Sequence, residues 1–303
     1  MAGGASQVRG EVLARIGALR QHRNGGQRSP HKPLLVLLAL GRLAAGGSSE
    51  LPWSAAESAL ADLVAEFGPA SRTGRGQSAA YPFTRLRADG IWVLDRDVPM
   101  DLVRPLAEGQ VTGRFEGSVE AALRADPELI RLAARGLVLG NFPETLAPDV
   151  LEAVGLDPGS VLGAGDAMAG PERRRDPRWR SAVLQAWDRQ CAFCGYDGQL
   201  AAASAGLEAA HVRWFAFGGP DALDNGLALC VLHHKLFDLG VLGLDPAMRI
   251  LVSAAFTART SAGRAVYDLY GRELAPRVGT IVPAAEHVSW HAREVFKGQP
   301  LTA

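Results

Sequence analysis

The sequence predicts a two-domain α+β chain, and three observations carry that prediction. Its 303 residues exceed one common domain of roughly 100–200 residues and suit two. Residues 155–172, GLDPGSVLGAGDAMAGPE, are mostly Gly, Ala, Pro and Ser with little charge, the composition of a linker. All three cysteines, Cys191, Cys194 and Cys230, lie beyond it within forty residues of one another. The expected division is a domain over 1–154, a linker over 155–172 and a second domain over 173–303.

The N-terminal part reads as α-rich with a short β-hairpin. SQVRGEVLARIGALRQH places Val8, Leu13, Ile16 and Leu19 at near-helical spacing. A polar break, RNGGQRSPHKP, ends in Pro33, a good first-turn residue for the apolar helix LLVLLALGRLA. SAAESALADLVAEF predicts a third helix with Ser54 as N-cap and Glu57 completing a capping box. GPASRTGRGQSAAYPF reads as a loop, and TRLRADGIWVLD as strand-like with a turn at Asp89-Gly90. Two more helices are expected around 117–138 and 144–154. After the linker, RRRDPRWRSAVLQAWDRQ predicts a basic helix leading into the cysteines, its arginines placed to track phosphates.

Composition is that of a globular protein, 48% hydrophobic and 21% charged. No run of about 18 apolar residues occurs, which argues against a membrane span. The N-terminus lacks a basic segment followed by an apolar one, so a cytoplasmic protein is the expectation. The 32 basic residues balance 32 acidic ones, which gives no global attraction to nucleic acid; only three are lysine, so local arginine clusters matter more.

An odd cysteine count without a secretory signal argues against disulfides and for metal. Cys191-x2-Cys194 can present two thiolates to one ion across a tight turn, and Cys230-x2-His233 supplies the second pair. Together they make a Cys3His set, the closed shell of structural Zn2+.

Between the two pairs lie AAHV and GGPDALDNGLAL, and after them HHKLFDLG. His211, Asn225 and His234, bracketed in this way, resemble the His-Asn-His (HNH) nuclease motif over about residues 187–243. The resemblance implies a ββα-metal fold, hydrolysis of DNA phosphodiesters and one catalytic Mg2+ or Mn2+. By position His211 is the general base, for which a neutral imidazole suits physiological pH. Asn225 would hold the hairpin and orient His211 by bonding its backbone, and His234 would ligate the catalytic ion. Asp238, one helical turn on, is a second candidate ligand. Many HNH enzymes carry a ligand directly before the base, where this chain has Ala210. Either Glu208 reaches the ion, although strand alternation puts it opposite His211, or His234, Asp238, phosphate and water suffice.

RSPHKPLLVLLALGRL together with YPFTRLRADGIWVL resembles the sulfur-binding domain of type IV, modification-dependent restriction endonucleases, over about residues 6–150. That resemblance implies a partner, double-stranded DNA with phosphorothioate linkages. Sulfur is softer and less hydrated than oxygen, so its reader needs an apolar wall beside cationic groups. Ala80, Tyr81 and Pro82 offer the wall, with Phe83 and Trp92 read as core. Arg28, His31 and Lys32 sit at a helix start, where backbone N–H groups also favour phosphate. Arg72, Arg75 and Arg85 flank the wall and could hold phosphates or read guanine edges. The combined expectation is an endonuclease directed to marked DNA, with a homodimer as one way to cut both strands. Two alternatives stand beside it: a reader of another mark such as methylcytosine, and a zinc-stabilised DNA-binding protein with an inactive HNH site.

Overall fold

The computed structural model describes residues 2–21, 23–24, 27–68, 74–163, 176, 178–201, 203–274 and 279–302. The chain forms two compact units, Met1–Ala169 and Gly170–Ala303, each with its own apolar core.

The first unit is helical with little sheet. Helix α1 (Ala2–Gly17) buries Val12 and Ile16, while Val8 faces out, so the buried stripe differs from the expected one. Strands β1 (Arg23–Asn24) and β2 (Gln27–Arg28) form the short hairpin, in what the sequence suggested was a plain break. Helix α2 (His31–Gly46) is the apolar run and buries Leu34, Leu35, Val36 and Leu37 completely. Strand β3 (Leu51–Pro52) leads into α3 (Trp53–Phe67). Pro52 is its N-cap and no side chain caps it, so the Ser54–Glu57 capping box does not form; the buried Trp53 starts the helix two residues early.

Helix α4 (Arg75–Arg85) replaces the expected loop and strand. Pro82 lies inside it and lacks the N–H that would bond one turn back, which is why the sequence hides this helix. Its burial explains why it forms: Ala79, Ala80 and Phe83 are fully enclosed. A 3-10 turn, Leu86–Asp89, ends at Gly90 in the left-handed region, φ 72°. Strand β4 (Trp92–Leu94), helix α5 (Val103–Glu108) and strand β5 (Thr112–Phe115) follow, and β3, β5 and β4 form one antiparallel sheet in that order. Trp53–Phe83, Phe83–Trp92 and Trp92–Phe115 meet edge to face at 5.2, 5.9 and 6.0 Å, an aromatic chain joining α3, α4 and the sheet. Gly113 is required there, because a Cβ would lie 2.4 Å from the Trp92 ring.

The helix expected at 117–138 is two, α6 (Gly117–Ala125) and α7 (Pro127–Asn141). Asp126 divides them, accepting from Leu129 N–H as N-cap of α7 with Pro127 in its first turn. Helices α8 (Ala147–Ala153) and α9 (Pro158–Leu162) complete the unit. The linker therefore does not begin at residue 155. Leu156 and Val161 are buried in this core, and Arg135 donates to the Leu162 carbonyl at 3.0 Å. The stretch 164–172 and Arg173, Arg174 and Arg175 lie outside the described residues.

In the second unit α10 (Trp179–Ala186) packs on a hairpin of β8 (Leu207–His211) and β9 (Gly226–Cys230), with the small pair β6 (Gln199–Leu200) and β7 (Ala203–Ser204) before it. His211 pairs with Gly226 and Leu207 with Cys230. Helix α11 (Val231–Asp238) follows directly, completing a ββα unit. Strands β10 (Leu242–Leu244) and β11 (Ile250–Val252), the short α12 (Ser261–Arg264) and α13 (Ala285–Glu294) close the core. Among the described residues no helix is long and apolar enough to cross a membrane.

Candidate active site and metal centre

The turn after α10 carries Cys191 and Cys194, and the β9–α11 junction carries Cys230 and His233. Among the described residues these four form the one group of three or more His, Cys, Asp or Glu whose ligand atoms all lie within 4.8 Å of one another. His233 Nδ1 is 3.5 Å from Cys191 Sγ and 3.3 Å from Cys230 Sγ. Tetrahedral zinc, with bonds of about 2.3 Å to sulfur and 2.0–2.1 Å to nitrogen, separates such atoms by about 3.5 Å. Hydrogen bonding from the Cys230 thiol, opposed by burial and aided by His233, holds the Cys191 thiol well below its usual range. The donor set and its spacing fit a structural metal of the zinc class.

One residue on, His234 faces a different place. Its Nδ1 lies 2.7 Å from Glu208 Oε2 on β8, and its Nε2 lies 3.2 Å from Asp238 Oδ2 one turn along α11. The carboxylates stand at opposite edges of one ring, so an ion bound to one nitrogen can share only one of them. They also differ in setting. The Glu208 side chain is 40% exposed, whereas that of Asp238 is 1% exposed and its Oδ1 accepts from Trp214 Nε1–H at 2.9 Å. Burial pushes the His234 ring down, but the charges and hydrogen bonds of Asp238 and Glu208 outweigh it and raise it to about 9. Hydrogen bonding to His234, against burial, holds Glu208 below the usual carboxylate range, and Arg180 adds to this.

His211 ends β8 and lies flat on Trp179 of α10, ring centroids 3.7 Å apart. Its Nε2 is 2.8 Å from Asp221 Oδ1. Asn225, fully buried, clips the loop between the strands. Its Oδ1 accepts from Arg213 N–H at 2.8 Å, and its Nδ2 donates to the Arg213 and Pro220 carbonyls at 3.0 Å. The side-chain bonds thus go to Arg213 and Pro220 and not to the His211 backbone, because the chain turns two residues past the base. Gly219 makes the turn possible: a Cβ there would lie 1.8 Å from the Arg213 carbonyl oxygen.

In the first unit the start of α2 adjoins the 3-10 turn that follows α4, since Lys32 forms an ion pair with Asp89, both side chains largely buried. His31 contacts the Ser29 hydroxyl, and burial lowers its ring to about 4, so it is a neutral group at physiological pH and not a cationic clamp. Tyr81 is half-buried beneath the Arg85 guanidinium, 4.7 Å from its centroid, and Arg85 binds Asp101 through two bonds of 2.7 and 2.6 Å. Ala80 and Pro82, expected in a surface wall, are buried, because α4 turns them inward. Arg75 pairs with Asp62 on the surface. Arg72 and the Arg28 side chain lie outside the described residues.

Sequence reasoning passed over Asp221, Trp179 and Trp214. A carboxylate directly after Gly218-Gly219-Pro220, ten residues from the base, was the visible signal for Asp221; nothing short of the fold brings Trp179 or Trp214 to these rings.

Residues 9–159 match the family described as ScoMcrA-like, DNA sulfur-binding domain, and residues 191–245 match HNH endonuclease. No curated protein matches the chain. Among solved structures it is similar to the sulfur binding domain of ScoMcrA complexed with phosphorothioated DNA, at 24% identity, covering 47% of this chain and 97% of that one, TM-score 0.41. It is similar to the corresponding SprMcrA complex at 23% identity, covering 51% and 91%, TM-score 0.34. The type IV phosphorothioation-dependent restriction endonuclease ScoMcrA matches at 15% identity, covering 74% and 93%, TM-score 0.40.

Proposed function

Because the chain joins a ScoMcrA-like DNA sulfur-binding domain to an HNH endonuclease domain, we propose that it restricts modified DNA, binding phosphorothioated duplexes through the first unit and hydrolysing phosphodiesters with the second. The observation that carries the nuclease half is the order His211, Asn225, His234 on a strand–loop–strand–helix unit beside the Cys3His cluster. His211 takes the proton of the attacking water, Asn225 keeps the loop closed, and zinc in the Cys3His shell ties the β9–α11 junction to the turn before β6. His234 and Glu208, whose Nδ1 and Oε2 lie 2.7 Å apart, would hold the catalytic Mg2+ or Mn2+. Asp238, buried on the other edge of the ring, orients His234 as carboxylates do behind metal-bound histidines. The bound ion supplies stabilisation of negative charge on the phosphate and the leaving oxygen.

For the mark, the α2 start and α4 offer Tyr81, Lys32 and Arg85 with the neutral His31, and Arg75 lies at the surface of α4; Arg28 and Arg72 are candidates on the sequence alone. Asp89 and Asp101 hold Lys32 and Arg85 in place before DNA arrives, which lowers the ordering cost of binding. With one HNH site per chain, cutting both strands calls for two chains or two visits; a homodimer on DNA is the expectation, and sedimentation with and without duplex tests it.

The deciding experiment uses phosphorothioated and unmodified duplexes of one sequence, with Mn2+, Mg2+ or EDTA. Tight binding and cleavage of the marked duplex alone, metal-dependent and abolished by His211→Ala, are expected. Equal binding of both duplexes rejects the sulfur reading, and undiminished cleavage by His211→Ala rejects the catalytic one.

A further inference from the structure

The base assigned above has a carboxylate of its own. We propose that Asp221 is the positioning residue of His211, fixing its tautomer and stabilising the charge it gains during the reaction. The inference rests on His211 being the base.

Asp221 Oδ1 lies 2.8 Å from His211 Nε2, and its side chain is 12% exposed. Its other oxygen accepts from the Asp176 backbone N–H at 2.7 Å, so the carboxylate is itself held at both oxygens. The ring is fixed in the second direction by Trp179, stacked at 3.7 Å with planes 16° apart. Trp179 in turn donates Nε1–H to the carbonyl of Ala222, the neighbour of Asp221, at 3.0 Å. Edge and face of the imidazole are therefore both held, by a loop and a helix that brace each other. Asp176 and Trp179 lie outside the 191–245 span matched to the HNH family, so this bracing belongs to the chain around the motif.

The chemistry follows from hydrogen-bond inventory. An ionised carboxylate only accepts, so the hydrogen between Asp221 and His211 sits on Nε2, and the lone pair of the neutral ring sits on Nδ1. Nδ1 takes a proton from water as the water oxygen bonds to phosphorus. The bond from phosphorus to the leaving oxygen breaks, and that oxygen takes a proton from solvent. The imidazolium formed in the first event lies 2.8 Å from the carboxylate of Asp221; this ion pair does not exist before the proton moves, so it favours the transition state over the ground state.

Asp221→Asn keeps the size and an acceptor but removes the charge. Single-turnover cleavage should fall by about 10²-fold, within the range a general base contributes, while KM, phosphorothioate-duplex affinity and zinc content stay at wild-type values. The double variant with His211→Ala should be no slower than His211→Ala alone, since Asp221 acts only through that ring. Ring-nitrogen NMR of His211 in the unmodified protein should show the Nε2–H tautomer, a readout that needs no variant to fold. An Nδ1–H tautomer, or an Asp221→Asn protein cutting at the wild-type rate while His211→Ala is dead, overturns the proposal and leaves the base standing. Cleavage by His211→Ala at the wild-type rate removes the base reading itself.

Discussion

Two carboxylates flank His234 in different surroundings, and the proposed site gives them different work. Glu208 is partly open to solvent, able to exchange a hydrogen bond for an ion at little cost. Asp238 is enclosed, with one oxygen toward Trp214 and the other toward His234. Glu208→Gln should raise the Mn2+ concentration for half-maximal cleavage by about 10–100-fold, the range seen for residues supporting a metal site, with no change in unfolding temperature. Asp238→Asn should instead destabilise the nuclease unit by about 1–3 kcal/mol, because Trp214 and His234 lose a charged acceptor in a dry site. Metal titrations followed by cleavage, paired with calorimetry, separate the two; equal loss of metal response with unchanged stability in Asp238→Asn would make Asp238 a ligand after all. Residue spacing favoured Asp238, one turn along the helix, and counted against Glu208, on the strand face opposite His211; only the location of the ring's two edges reverses that order.

At the scale of elements, α13 supports α11 from behind. His291 stacks on Phe237 at 3.7 Å, donates Nε2–H to the Phe237 carbonyl at 3.1 Å and is 1% exposed. Burial, only partly opposed by that carbonyl and by Asp238, lowers its ring to about 4. A histidine lowered in the folded state contributes stability fully above the unfolded value near 6.5, and this is lost as pH falls from there toward 4. The loss is on the order of 3 kcal/mol. Denaturant melts of wild type and His291→Phe should therefore diverge in slope over that window, the variant changing less with pH; parallel curves would refute the assignment. Helix α13 also shows where the sequence falls silent. The apolar run of α2 and the Cys, His and Asn spacings of the ββα unit are local patterns and were legible. Helix α4 was hidden by Pro82, since tertiary burial of Ala79, Ala80 and Phe83 overrides a local breaker. Leu156 and Val161 looked like linker because two apolar residues among glycines carry no period, and only the core they fill identifies them.

At the scale of the molecule, the two units rest on different kinds of stability. The core of the first is a continuous cluster from Val12 to Val161 of aliphatic and aromatic side chains, with no metal group among its described residues. The second has a smaller core, and the turn at Cys191–Cys194 and the β9–α11 junction converge on four ligand atoms within 4.8 Å. Zinc binding free energy is folding free energy in such a site, because the ligands do not converge in the unfolded chain. Without the ion, up to three thiols and an imidazole crowd one point, and α11 loses the anchor that presents His234. Strong chelation should therefore melt the second unit alone. Calorimetry should lose one of two transitions, cleavage should stop and not return on adding Mn2+ only, and zinc together with Mn2+ should restore it. The phosphorothioate-duplex affinity of the chelated protein should remain within a few-fold of the starting value, because the residues proposed to read the mark all lie in the first unit. Loss of duplex binding together with zinc would show that recognition draws on the nuclease unit as well, and would place part of the reading surface outside α2 and α4.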